Sequence, residues 1–182
     1  NGNNHNFWKI DDTEAGMSPP NCGSANNGDS TLHVTSTLLP NNGALYNAGG
    51  LCILGYCIET NMIAISDTIS TINKSNIEVS FDYIGNGQGL LDNASFQYSI
   101  DGGITWITQV ASLKSAICPT STQGVWTNMS FQLPSNAENI SNLLVAFHWT
   151  NNDDGQGTDP SFAVNNFLIS ANSIIATTTL ID

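Results

Sequence analysis

The sequence predicts an all-β protein, a sandwich of two antiparallel sheets with jelly-roll connections, and three observations support this prediction. Apolar residues alternate strictly with polar ones in several short segments, as at Ile77, Val79, Phe81 and Tyr83, a pattern typical of a strand with one face in a core. Gly, Asn and Pro separate these segments. No segment combines helical apolar spacing with good helix formers, so we expect almost no helix.

The candidate strands follow one another along the whole chain. They are an edge strand around Phe7, Trp8 and Ile10, then 32–38, 62–66, 76–84, 96–100, 104–109, 129–133, 143–149, 161–170 and 173–181. So many short strands fit either a sandwich or a closed barrel. The long connections 40–50 and 151–160 favour the sandwich, because Greek-key crossings need them. We expect one domain over 1–170 and a C-terminal β tail over 171–182.

Segment 161–170 contains a conflict in its alternation. Phe162 and Val164 share one parity, whereas Phe167 and Ile169 have the other. A bulge at Asn165 and Asn166 would place both pairs on the core side. The alternative is a regular strand in which Asn166 points inward and needs buried hydrogen-bond partners or a cation. The bulge is the preferred interpretation.

Composition excludes several classes of function. The chain has 182 residues, enough for one domain, and carries 3 Lys+Arg against 15 Asp+Glu, a formal charge of -12. Such a chain lacks the basic face that nucleic acids or anionic membranes require. No apolar run is long enough for a membrane span, and no signal-peptide pattern is visible. A chain that begins at Asn1 is therefore expected to be a mature or excised product.

Four cysteines, Cys22, Cys52, Cys57 and Cys118, are an even number at spacings that match no zinc site. We expect two disulfides in an oxidising, extracellular compartment, with buried free thiols as the alternative. Sequence alone leaves all three possible connectivities open.

A short hairpin motif lies at 99–106, Ser-Ile-Asp-Gly-Gly-Ile-Thr-Trp. It fits the Asp-box pattern S-x-D-x-G-x-T-W at five positions: Ser99, Asp101, Gly103, Thr105 and Trp106. The two glycines supply the positive φ values of a tight turn, and Asp101 can accept hydrogen bonds from nearby N–H groups. The motif predicts a structural turn rather than a binding site.

The loop 151–160 is the candidate metal site. It concentrates Asp153, Asp154 and Asp159 with Asn, Gln and Gly, and Ca²⁺ prefers carboxylate, amide and carbonyl oxygens. The glycine-rich loop 85–89 leads to Asp92, which is expected to share the site. The alternative is a solvated acidic loop whose Asp and Asn residues only form turns. Calcium is the only cofactor expected.

Catalytic patterns are scarce. The sequence has neither a G-x-S-x-G elbow nor an H-E-x-x-H motif, and His5, His33 and His148 share no metal spacing. We expect no enzymatic activity and assign no catalytic residues.

Four stretches carry a resemblance to a known family: the runs 43–52, 81–89 and 147–162 and the hairpin 99–106. They resemble extracellular jelly-roll modules of secreted and surface proteins of Bacteroidota and, more distantly, MAM domains and reelin repeats. The resemblance covers roughly residues 20–170. It implies a two-sheet jelly roll with an Asp-box hairpin, disulfides, a structural calcium ion in some relatives, and a non-enzymatic role in adhesion. Asn165 and Asn166 stand where such modules are expected to carry Asp-Asp.

The favoured function is therefore a structural or adhesive component of a cell surface or extracellular filament. The tail 173–181 is β-branched and uncharged, and such a strand can pair with a sheet edge of another subunit or domain. A carbohydrate-binding module is the first alternative, with Tyr46, Tyr56 and Trp126 as candidate sugar platforms. An accessory domain of a secreted hydrolase is the second.

Overall fold

In a computed structural model, the chain forms two packed antiparallel sheets, which confirms the predicted all-β sandwich. The structure describes residues 5–25, 28–39, 43–52, 55–56 and 59–174. The strands are β1 (Asn6–Asp11), β2 (Thr31–Ser36), β3 (Leu51–Cys52), β4 (Gly55–Tyr56), β5 (Thr60–Ile65), β6 (Lys74–Gly87), β7 (Asn93–Ser99), β8 (Ile107–Val110), β9 (Thr127–Gln132), β10 (Leu144–Asn151) and β11 (Thr158–Ser173). Within the described residues, the helical structure is one 3₁₀ turn at Ser135–Ala137, too short to cross a membrane.

The strand order is that of a jelly roll. One sheet has the order β1-β2-β11-β6-β9 and the other β5-β10-β7-β8, while β3 and β4 form a separate small ribbon. From β2 onward, and setting the ribbon aside, each strand lies in the sheet opposite its predecessor except β8, which pairs with β7. The connection between β10 and β11 joins strands of different sheets, as Greek-key crossings do. The connection after β2 leads into the ribbon of β3 and β4. Asn6–Asp11 form the edge strand β1, as expected around Phe7, Trp8 and Ile10.

The core lies between the sheets and is built from the inward-facing positions of the alternating strands. Phe81 on β6 and Phe147 on β10 meet with their ring centroids 5.1 Å apart, and Phe96 on β7 stacks on Phe81 at 6.0 Å. The same alternation leaves Glu78 outside, where it accepts a hydrogen bond from Ser130 Oγ at 2.7 Å. Burial of these rings supplies most of the driving force for closing the sandwich.

The predicted bulge is present in β11. Asn165 lies opposite Asp82 of β6, and Leu168 lies opposite Ser80, so β11 has one residue more than its partner strand over this stretch. Asn166 adopts a φ of 51°, a left-handed conformation that Asn tolerates better than most residues. The extra residue resets the parity, and both Phe162 and Ile169 therefore pack toward the core.

Some strand ends differ from the sequence-based bounds. β6 continues past Ile84 to Gly87, and Gly85 still pairs with Phe162 of β11. β8 begins only at Ile107 because Thr105 belongs to the preceding turn. Residues 171–173 continue β11 beside β6, and the tail 175–182 lies outside the described residues.

Candidate functional site at the acidic end of the sandwich

Three loops meet where β6 and β10 end and β7 and β11 begin: 43–50, 85–92 and 151–159. We call this region the acidic end. The backbone N–H of Gly50 donates to the carbonyl of Asp153 at 3.1 Å, and that of Gly155 donates to the carbonyl of Ala48 at 3.0 Å. These backbone hydrogen bonds hold the first and third loops together, and Asp92 connects the second loop to both.

Asp92 is the centre of the acidic end and is 0% exposed. One carboxylate oxygen accepts a hydrogen bond from the Tyr46 hydroxyl at 2.6 Å, and the other accepts one from the Asn152 N–H at 3.0 Å. Burial, reinforced by the hydrogen bond to Asp92, raises the pKa of Tyr46 far above its usual range. Tyr46 is therefore a hydrogen-bond donor at every physiological pH.

A lysine also contacts the loop 85–92. Lys114 Nζ donates to the backbone carbonyl of Asp92 at 2.7 Å and also to that of Asn86. Burial lowers the pKa of Lys114 to about 8, and the neighbouring Asp92 partly offsets that effect. The ammonium thus ties the two ends of the loop 85–92 together.

The other three aspartates differ in environment. Asp159 accepts a hydrogen bond from the Tyr46 N–H at 3.1 Å, and burial raises its pKa to about 6. Burial also raises the pKa of Asp153, and the carboxylates of Glu59, Asp154 and Asp92 add to the effect. Asp154 is exposed, and hydrogen bonds led by that from the Asn152 side chain lower its pKa.

Gly157 permits the close packing of this region. Its φ is 122°, and a Cβ atom there would lie 2.0 Å from the Tyr46 hydroxyl oxygen and 2.7 Å from Asp92 Oδ2. No residue with a side chain fits this position without displacing the pair. The glycine-rich composition of loop 151–159 therefore has a steric cause.

Two side-chain amides leave buried oxygens without a donor. The amide nitrogens of Gln88 and Asn152 both donate to Asp154 Oδ2, at 3.1 and 3.0 Å. Gln88 Oε1 and Asn152 Oδ1 are buried and have no hydrogen-bond partner. Buried oxygens without partners beside a carboxylate are an arrangement that a cation would satisfy.

The four predicted metal-site aspartates all lie at the acidic end, but they do not converge on one point. Within the described residues, no three Asp, Glu, His or Cys side chains are grouped closely enough to hold a metal ion. Asp92 and Asp159 contact Tyr46, whereas Asp154 contacts Gln88 and Asn152. Calcium binding stays a prediction.

A second buried carboxylate joins loops elsewhere in the molecule. Glu14 Oε2 accepts a hydrogen bond from the Ala44 N–H at 3.0 Å, and Oε1 accepts one from the Gln123 side chain. Burial raises the pKa of Glu14 to about 7. Nothing in the local sequence around Glu14 indicated these distant partners.

The segment that joins β7 to β8 is closed by its own side chains. Asp101 accepts hydrogen bonds from the Thr105 N–H at 2.9 Å, the Thr105 hydroxyl at 2.6 Å and the Ser99 hydroxyl at 2.7 Å. The Thr105 hydrogen bonds are the main reason why the pKa of Asp101 is lowered to about 2. Ser99 Oγ also accepts from the Gly103 N–H at 2.8 Å. The assignment as an Asp-box stays a sequence-based prediction.

Among the cysteines whose side chains the structure describes, Cys22 and Cys118 form a disulfide, with the Cα atoms 5.8 Å apart. The sequence left three connectivities open, and this disulfide is the pairing of Cys22 with Cys118. Cys57 and the side chain of Cys52 lie outside the described part of the structure. A second disulfide between them stays a prediction.

Two of the aromatic residues considered for sugar binding are core residues. Tyr46 is buried against Trp149, with ring centroids 5.2 Å apart. Trp126 is fully buried, and its indole N–H donates to the carbonyl of Gly23 at 2.9 Å. Their interpretation as sugar platforms was wrong, and the side chain of Tyr56 lies outside the described part.

The one buried histidine near a carboxylate is not arranged for catalysis. His33 Nε2 lies 3.3 Å from Thr13 Oγ1 and 3.5 Å from Asp11 Oδ1, so both neighbours share one ring nitrogen. A nucleophile and an orienting carboxylate must bind opposite nitrogens to act in relay. His33 is also fully buried, and burial lowers its pKa.

Comparison with known proteins places this fold in a family. The family model for Reelin subrepeat B matches residues 57–170. The chain belongs to that family. The predicted relation to reelin repeats is thereby confirmed.

One solved structure is similar to the chain: the K1 cleaved adhesin domain of Lys-gingipain (Kgp) from Porphyromonas gingivalis W83, with 19% identity and a TM-score of 0.47. The match covers 94% of this chain and 87% of that one. A comparison with curated protein sequences gives no significant match.

The Reelin subrepeat B match takes in most of the acidic end but leaves out part of it. It includes Asp92 and the loop 151–159, whereas Tyr46 lies before its first residue. It likewise includes Cys118 but not Cys22. The hydrogen bond to Asp92 and the disulfide therefore both fasten the N-terminal third of the chain to the family region.

Proposed function

We propose that this chain is a non-enzymatic structural and adhesive module, displayed outside the cell as part of a surface layer or filament. The observation that carries the proposal is that two buried carboxylates join loops instead of lining a cleft: Asp92 binds Tyr46 and Asn152, and Glu14 binds Ala44 and Gln123. Such an arrangement rigidifies a scaffold. Family membership and the disulfide, which favours an oxidising compartment, support the same proposal.

Surface display is tested by labelling intact cells of the source organism with an antibody against the folded chain. We expect labelling without permeabilisation and weaker attachment of cells to surfaces when the gene is deleted. A signal that requires permeabilisation would contradict the proposal.

The proposal includes a structural Ca²⁺ ion at the acidic end. Asp154 would hold it together with Gln88 and Asn152, since a half-turn of each amide would direct its unpartnered oxygen toward the Asp154 carboxylate. The ion would be the positively charged partner that these buried oxygens lack. Asp92 and Asp159 already accept hydrogen bonds from Tyr46, and we assign them the role of fixing the surrounding loops.

Thermal unfolding in calcium and in chelator tests this part. An ion that binds only the folded state at a concentration of about 100 times its Kd adds about 2.7 kcal/mol, so the Tm should rise in calcium. Asp154→Asn should abolish the rise, and Asp67→Asn, at an exposed aspartate elsewhere, should retain it. An equal Tm in calcium and chelator would reject the ion.

The proposal further includes assembly through β-strand addition by the uncharged segment 173–181. A chain that ends at residue 174 keeps β11 intact and lacks all but the first two residues of this segment. We expect the full-length chain to form oligomers in light scattering and electron microscopy, and the shortened chain to remain monomeric. Oligomers of the shortened chain would rule out strand addition by this segment.

A further inference from the structure

The second half of β11 has an open side. On one side β11 pairs with β6 along most of its length, but on the other it pairs with β2 only at Ala163 and Val164. β2 begins at Thr31. From residue 165 to Ser173, the described part of the chain therefore supplies no strand on that side. Open strand edges of this length are templates for pairing with another strand.

A cleft of about 440 Å³ opens between the two sheets at the start of this edge. Leu32 and Val164 line it from the five-stranded sheet, and Ile65 and Val145 line it from the other. Its floor includes Phe167, which is 40% exposed although its ring packs 5.8 Å from that of the core residue Phe147. The cleft thus exposes the hydrophobic core at one point.

The cleft carries no charge, and exposed isoleucines form part of its rim. Ile10 is 73% exposed and Ile65 is 50% exposed. The polar lining residues are serines and asparagines, and none of the lining residues is charged. On a chain whose net charge is -12, this surface is suited to an uncharged apolar strand rather than to a charged partner.

We propose that the cleft and the open edge of β11 form the acceptor site for segment 173–181 of a second copy of this chain. The inference rests on the strand addition proposed above and identifies where the strand binds. The segment reads Ser-Ile-Ile-Ala-Thr-Thr-Thr-Leu-Ile, rich in β-branched residues that favour strands. Added beside β11, it would continue the line of β2 and place alternate side chains in the cleft.

The reach of the segment favours a second copy over the chain's own tail. The N–H of Ile174 still donates to the carbonyl of Asn73 beside β6, so a hairpin that returned the tail to the open side of β11 would have to turn after Ile174. With the shortest common hairpin loop, of about two residues, Ile181 would come opposite Ser170. The apolar segment would then end before the cleft at Phe167. A second copy has no such limit.

A photoreactive phenylalanine derivative at position 65 tests the site in the full-length chain. Mixing ¹⁴N- and ¹⁵N-labelled copies before irradiation separates cross-links between copies from cross-links within one copy by mass. We expect mixed-isotope cross-links between position 65 and residues 173–181. Cross-links to that segment within a single copy, or to other parts of the chain, would overturn the proposed acceptor site.

A peptide of residues 172–182 provides a second measurement. The receptor is the full-length chain carrying Ile175→Asp and Leu180→Asp, which disfavour binding of its own segment. Ile10→Glu, at the cleft rim, should weaken peptide binding at least tenfold. The matched control is Ile104→Glu, at an isoleucine that is 83% exposed in the turn after β7, and it should leave binding unchanged.

The outcomes separate this inference from the proposed function. Equal binding by the two glutamate variants would overturn the acceptor site even if loss of residues 175–182 abolishes assembly, because strand addition would then use another edge. If loss of these residues leaves assembly intact, strand addition by this segment fails, and the acceptor site fails with it. The adhesive role and the calcium site would be unaffected by either result.

Discussion

In the turn between β7 and β8, Asp101 binds groups within four residues of itself, whereas at the acidic end Asp92 binds Tyr46 and Asn152, far away in the sequence. The first carboxylate belongs to a partly exposed residue and the second is fully buried. A local turn needs only its own residues to form. The acidic end forms only when three loops have been brought together by the sandwich, and its contacts report on the whole fold.

The largest expected difference between the two regions comes from their glycines. Gly157→Ala places a methyl group against Tyr46 and Asp92 and should lower the free energy of unfolding by about 3 kcal/mol. At Gly102 of the turn, the φ is 73° but the nearest side-chain atom would be 3.9 Å away, so Gly102→Ala should cost about 1 kcal/mol. Urea denaturation measures both, and equal losses would show that the acidic end is loosely packed.

The next largest effect concerns the buried hydrogen bond. Asp92→Asn retains the side-chain size but removes an acceptor from either Tyr46 or Asn152, and should destabilise the chain by about 2 kcal/mol. Tyr46→Phe removes the other partner of the same bond. A double-mutant cycle should give a coupling of about 1 kcal/mol. A coupling near zero would mean that the two side chains act independently.

The pH dependence of stability should have opposite signs for the two kinds of carboxylate. The pKa of Glu14 rises from 4.5 to about 7 on folding, so its stabilising contribution is full below pH 4.5 and is lost as the pH rises to about 7. Glu14→Gln should remove this decline from the urea-unfolding free energy. A decline of the same size in the Gln variant would assign it to another group.

The smallest effect is expected at Asp101. Its pKa falls from 3.8 to about 2 on folding, so its contribution is present above pH 3.8 and is lost as the pH falls to about 2. Asp101→Asn should reduce the loss of stability between pH 3.8 and about 2. It should also lower the Tm less than Asp92→Asn does, because the turn is more exposed than Asp92. A larger loss of Tm than for Asp92→Asn would reverse the comparison.

The same distinction explains what the sequence could predict. The alternation of apolar and polar residues is visible in the sequence. This local pattern determines the strand positions, the edge strand β1 and the bulge at Asn166. The conflict between Phe162 and Phe167 was informative because a single inserted residue resolves it. The sequence also placed an acidic loop at 151–159, since its composition departs from that of the surrounding strands.

The contacts that build the acidic end could not be predicted in this way. Tyr46 and Asp92 are separated by 46 positions, and no periodicity connects a tyrosine in one loop with an aspartate in another. Lys114 was not singled out, because its carbonyl partners, on Asn86 and Asp92, come within reach of one ammonium only in the folded chain. Gly85 was interpreted as part of a glycine-rich loop, although it belongs to β6 and pairs with Phe162 of β11. Glycine alone does not distinguish a loop from a strand that another segment approaches closely.

The bond between Cys22 and Cys118 spans 96 positions of sequence, and that span encloses everything from β2 to β8. By restricting the unfolded chain, a closure of this length is worth between 4 and 5 kcal/mol, as an order-of-magnitude figure, in the chain-entropy account. It also has a consequence for a protein exposed to proteases. A single cut in any enclosed loop releases no fragment, so the nicked molecule stays in one covalent piece.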